Sequence, residues 1–74
     1  MKLIIKLNSE IIYEGSDSLY CGNIPNIGDR IAFDGDERNN KPCKQYYSVI
    51  TRTFEANKFN SLYKSVCILQ VEKQ

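Results

Sequence analysis

Histidine is absent from these 74 residues, and so is tryptophan. The first absence removes the commonest general base and the commonest metal ligand together. What remains for nucleophilic chemistry is hydroxyls, carboxylates, lysines and three thiols, Cys21, Cys43 and Cys67. A nucleophilic cysteine needs a base, cation or helix N-terminus to raise its thiolate fraction. Without histidine these three would depend on a lysine or a helix N-terminus, and no pattern in the sequence suggests either, although Lys44 adjoins Cys43 in a polar loop. No serine has a nucleophile-elbow context. No C-x-x-C occurs, and an odd number of cysteines cannot pair fully within one chain. A closed zinc site would therefore have to borrow a carboxylate or a second chain. Free thiols fit a reducing compartment. The expectation is a protein that is not an enzyme and takes no cofactor and no metal.

Long hydrophobic runs are missing as well. Lys6 interrupts the first apolar run after three residues, short of the roughly 7–15 of a signal-peptide core. No segment approaches the roughly 20 apolar residues of a membrane-spanning helix. These features predict a soluble cytoplasmic protein that does not engage a membrane. An excess of one charge is also lacking: ten Lys and Arg stand against nine Asp and Glu, for a formal charge of +1. Domains that live on a phosphate backbone usually carry a basic surplus. With 42% hydrophobic and 26% charged residues, the chain has an ordinary globular composition and is not a disordered tail. Its length sets one small domain over residues 1–74, burying about 60–65% of its unfolded surface. The net stability expected from such a core is about 3–5 kcal/mol.

What is present is a series of short apolar runs separated by turn-forming intervals. "KLIIKL" alternates, with Leu3, Ile5 and Leu7 on one face and Lys2 and Lys6 on the other. Asn8-Ser9 allows a turn into "EIIYEG", a second strand. Residues 16–28 read as loop, with "LYC" a brief strand inside it. "RIAFD" alternates again, placing Ile31 and Phe33 together. "QYYSVITRTF" is dense in β-branched and aromatic residues and is the longest strand candidate. Its two alternating faces, Tyr47-Val49-Thr51-Thr53 and Tyr46-Ser48-Ile50-Arg52-Phe54, are both mixed. That pattern predicts a bent or bulged strand that changes which side meets the core. "YKSVCILQVEK" supplies the last strand, and Ala56, Phe59 and Leu62 recur at a spacing that allows a short helical turn over residues 55–62. The fold class is all-β: a small SH3-like or OB-like barrel of five to six short antiparallel strands. The competing architecture is an open meander that dimerises through an edge strand.

The most organised stretch is "NIPNIGDRIAF", residues 23–33. Pro25 directs Ile24 toward extended backbone, Gly28 supplies positive φ and Asp29 can accept nearby backbone N–H groups. Ile24 and Ile27 are expected to pack inward around the turn. A phosphate cradle would need more glycines and a following helix, so the segment reads as a structural turn. Pro25, Gly28, Asp29 and Ile31, continued by Tyr47, Val49 and the strand "VCILQVEK", resemble a group of short, mostly uncharacterised bacterial proteins with an SH3-like small β-barrel. The resemblance covers residues 23–72 and implies a fold that hosts protein binding, nucleic-acid binding or scaffolding alike.

Two clusters invite functional readings. Asp34, Asp36 and Glu37 sit in "DGDERNN", but Arg38 and Asn39 occupy the fifth and sixth positions where a calcium loop needs an oxygen ligand and glycine. Lys44, Tyr46, Arg52 and Phe54 form a basic-aromatic set suited to stacking bases and meeting phosphates. The same aromatics also serve to fill a small core. The leading expectation is a non-catalytic protein-interaction module or accessory subunit, its specificity carried by loops near residues 34–45 and 55–62. Phe59 and Tyr63 are its candidate partner-binding residues, and an edge strand offers a route to a homodimer. The alternative is single-stranded nucleic-acid binding through Lys44, Tyr46, Arg52 and Phe54.

Overall fold

The computed structural model describes residues 1–34, 44–56 and 65–74. Five strands follow the apolar runs: β1 (Lys2–Leu7), β2 (Glu10–Ser16), β3 (Arg30–Asp34), β4 (Lys44–Glu55) and β5 (Val66–Lys73). They form one curled, half-barrel sheet in the order β2-β1-β5-β4-β3. Three of the four pairings are antiparallel, but β1 and β5 run parallel, Leu3 beside Cys67 and Ile5 beside Leu69. The sheet is therefore mixed, which corrects the all-antiparallel expectation. Alternation within each strand sets which side is apolar. It carries no information on whether the first and last strands meet head to head or head to tail.

The inner face of the curl is the core. Leu3, Ile5, Ile31, Val49, Cys67, Leu69 and Val71 are buried, and no buried polar side chain accompanies them among the described residues. Leu7, Ile12, Tyr13, Tyr20, Ile24, Phe33 and Tyr47 pack around this cluster. Asn8 makes the β1–β2 turn in the left-handed region at φ 56°, a conformation that asparagine tolerates better than most residues.

Two bulges shape the sheet. Between β1 and β2 the register slips at Ile12, which is skipped between the Ile5–Tyr13 and Lys6–Ile11 pairs. Between β4 and β5 it slips at Ile50, skipped between Val49–Val71 and Thr51–Gln70. The second bulge is the predicted change of face. Before it Tyr47 and Val49 look inward; after it Arg52 and Phe54 lie opposite Leu69 and Cys67 and share their inner face. An extra residue in one strand reverses the sidedness of everything beyond it.

Residues 17–29 lead from β2 to β3. They open with a single 3-10 turn, Asp17–Tyr20, whose backbone N–H at Ser18 is capped by the Ser16 hydroxyl at 3.1 Å. The "LYC" stretch is thus a helical turn and not a strand, closed by Cys21 in the left-handed conformation (φ 54°). Tyr20 and Ile24 pack against the core and Pro25 is buried. At the reversal Gly28 takes φ 93°, and the Asn26 N–H donates to the Asp29 carboxylate at 2.8 Å. Ile31 then enters the core with Phe33 half-buried behind it. Ile27 departs from expectation: it is 65% exposed, because the Asn26–Asp29 turn points it outward while Ile24 and Pro25 do the packing. The helical turn expected at 55–62 falls almost wholly outside the described residues; Glu55 ends β4.

Candidate functional site

The basic-aromatic set is the part of the sequence most sensitive to the β4 bulge. Regular alternation would align Tyr46, Arg52 and Phe54. The slip at Ile50 instead leaves Tyr46 on the outer face, opposite Ala32, and turns Arg52 and Phe54 inward. The expected single platform is therefore two separate cation–aromatic pairs on opposite sides of one sheet.

On the inner side the Arg52 guanidinium lies 4.8 Å from the Phe54 ring centroid. One of its amino groups donates to the Asn26 side-chain oxygen at 2.8 Å. Arg52 thus ties β4 to the connecting segment, while its Nε is buried without a hydrogen-bond partner among the described residues. Phe54 is half-exposed at 51%, opposite Cys67 near the end of β4. The charge of Arg52 also reaches Cys67, drawing its thiol down; burial outweighs this and pushes the thiol above its ordinary value. This is an inert thiol in a hydrophobic place, consistent with Cys67 serving as a small apolar residue.

On the outer side the Arg30 guanidinium lies 4.7 Å from the Tyr46 ring centroid. Lys44 is two residues from Tyr46 on the same exposed face, and Asp34 lies directly opposite Lys44. Sequence reading missed Arg30 because its partner lies on another strand; only the β3–β4 register brings them together. Each pair stacks a cation on an aromatic face, an attraction of about 0.5–1 kcal/mol at an exposed position.

The edges of the sheet form the third element of the site. β2 and β3 lie at opposite ends of the strand order, with no pairing between them. Their approach is made by side chains: the rings of Tyr13 and Phe33 stack at 6.1 Å, and Phe33 meets Tyr47 edge-on at 6.2 Å. The curl therefore draws the two edges together on the inner side without closing the hydrogen-bonded ladder.

Phe59, Tyr63 and Cys43, together with most of the two loops near 34–45 and 55–62, lie outside the described residues. Cys21 is an exposed free thiol and Cys67 a buried one. Among the described residues no three metal-ligating side chains converge, and no helix is long and apolar enough to cross a membrane. No family model, no curated protein and no solved structure matches the chain.

Proposed function

We propose that this chain is a non-catalytic protein-interaction module, built on a small SH3-like barrel left open between β2 and β3. The observation that carries the reading is the pair of edges, which touch through the Tyr13–Phe33 stack while neither has an outer strand partner among the described residues. Strand addition is the corresponding mode of recognition: main-chain hydrogen bonds supply affinity and alternate side chains supply selectivity. Phe59 and Tyr63 remain the proposed loop contacts for a partner. The test is affinity capture from a native lysate of the source cells, with Ala32→Pro, Phe59→Ala and Tyr63→Ala in parallel. Specific capture that Ala32→Pro abolishes supports strand addition at β3. Capture lost only with Phe59 or Tyr63 moves the site to the loop, and a bait that retains nothing specifically overturns the reading.

A second reading rests on the Arg30–Tyr46 stack beside Lys44, an exposed aromatic between two cations. Such a corner can stack one base and meet its phosphates. Retention on single-stranded DNA or RNA, weakening steeply with salt and lost in Tyr46→Ala, is its signature. Absence of retention even at about 20 mM salt excludes it.

A further inference from the structure

β3 is complementary to itself. Its sequence, Arg30-Ile31-Ala32-Phe33-Asp34, carries a cation at one end and a carboxylate at the other, with apolar residues on either side of a central alanine. Paired antiparallel with a second β3 about Ala32, it sets Arg30 against Asp34 of the other copy, and Asp34 against Arg30. On the inner face Ile31 then meets Phe33 twice, and at the centre alanine meets alanine. We propose that two copies of this chain associate through this edge, joining their sheets into one continuous sheet about a two-fold axis. The proposal rests on the strand-addition reading above and names its occupant as a second copy.

The backbone independently selects the same register. Val49 donates its N–H to the Asp29 carbonyl at 3.0 Å, and the Tyr46 carbonyl accepts from Gln74 at 3.0 Å. Odd-numbered residues in this part of β4 therefore bond toward β3, and even-numbered ones bond toward β5. In an antiparallel ladder this alternation makes Ile31–Tyr47 and Phe33–Gln45 the hydrogen-bonded pairs. The N–H and C=O groups of Arg30, Ala32 and Asp34 consequently point out of the sheet. These are the three positions that the charge pairing places face to face, so the register forms roughly six new backbone hydrogen bonds. Sliding the pair by two residues loses about two of them and leaves each charge opposite Ala32. Sliding by four leaves about two and sets Arg30 against Arg30 or Asp34 against Asp34, which is unfavourable.

Other features point to β3 and to self-pairing. The opposite edge, β2, is interrupted by its bulge at Ile12, a common device for blunting an edge. β3 has no such interruption. Charged residues often guard an edge by repelling a copy of themselves, but one positive and one negative charge placed symmetrically attract. Neither Arg30 nor Asp34 makes an ion pair among the described residues. The Tyr46 ring holds the Arg30 guanidinium on the outer face, where the Asp34 carboxylate of the second copy would arrive. The pairing is isologous, as closed two-fold dimers require.

The experiment is sedimentation equilibrium on the whole chain from about 5 µM to 1 mM, with Arg30→Asp and Asp34→Arg as charge reversals. Both positions are exposed, so each variant should fold, which circular dichroism and a urea midpoint verify. The wild type is expected to be a reversible dimer, loosened by salt. Each single reversal sets like charges together at both ends and is expected to weaken self-association at least about tenfold. An equimolar mixture of the two variants should recover dimer, because one then presents two carboxylates and the other two guanidinium groups. A strictly monomeric wild type overturns the proposal, as does a dimer indifferent to both reversals or a mixture that fails to reassociate. None of these outcomes bears on binding of a different protein, which the Ala32→Pro capture experiment judges separately.

Discussion

Cys67 is wholly buried between strands, and a thiol without water loses its proton reluctantly. Burial raises its pKa, against a smaller opposing pull from Arg52. Burial, and then the proximity of Tyr13, raise that of Tyr20. For both acids the folded-state value lies above the unfolded one. The stability they contribute is therefore fully present below the unfolded pKa and is lost as pH rises through the folded one. Urea midpoints should hold near neutrality and decline from about pH 8.5 upward, the thiol first and the phenol near pH 10. Cys67→Val should flatten the earlier part of that decline. In native protein Cys21 should alkylate readily at pH 8 while Cys67 resists until urea is added, a contrast that peptide mass spectrometry reads directly.

Gly15 illustrates a second effect at this scale. A Cβ there would stand 2.7 Å from the Tyr13 hydroxyl, which donates to the Ser16 carbonyl at 3.1 Å. Gly15→Ala should displace the ring, disturb its stack on Phe33 and cost about 1 kcal/mol by urea denaturation. At single residues the sequence was informative where backbone chemistry is local. Gly28, Asp29 and Pro25 behave as their types require. Ile27 faces outward against expectation because its orientation depends on the turn geometry and not on its hydrophobicity.

Among the elements, β3 permits a sharp contrast. Ala32 directs its N–H away from β4, whereas Ile31 uses its own within the ladder. Ala32→Pro should shift stability by less than about 1 kcal/mol, and Ile31→Pro should cost about 3 kcal/mol or more. Equal losses by urea denaturation would show that the hydrogen-bond phase of β3 is wrong. All five strands were legible as runs of alternating or β-branched residues. The mixed faces of "QYYSVITRTF" also announced a bulge. Its position was not legible, because any of several residues can be the extra one until a partner strand fixes the register. Without that register, simple alternation aligns Tyr46 with Arg52 and Phe54 and gives Arg30 no partner.

For the molecule as a whole, seven buried side chains on one face of one sheet carry the fold among the described residues. Leu69 lies at 0% exposure in the strand between β1 and β4. Leu69→Ala should cost about 2–5 kcal/mol, comparable to the whole expected stability of about 3–5 kcal/mol. Circular dichroism at 25 °C should then show a largely unfolded chain, while Ile11→Ala, on the exposed side of β2, should change little. All-β character followed from composition and periodicity. The parallel β1–β5 junction did not, since it joins residues more than sixty positions apart and leaves no mark on either strand alone.

That junction also dictates when the protein can become itself. Of these five strands β1 leaves the ribosome first and β5 last, yet one flank of Leu3 and Ile5 is covered by Cys67 and Leu69 of β5. Until β5 emerges, β1 has its hairpin partner on one side and an open seam on the other. The nascent chain therefore has a long interval in which a chaperone, or another unfinished chain, can reach that seam. Completion of the sheet is a single late event and not a stepwise accretion from the beginning of the chain.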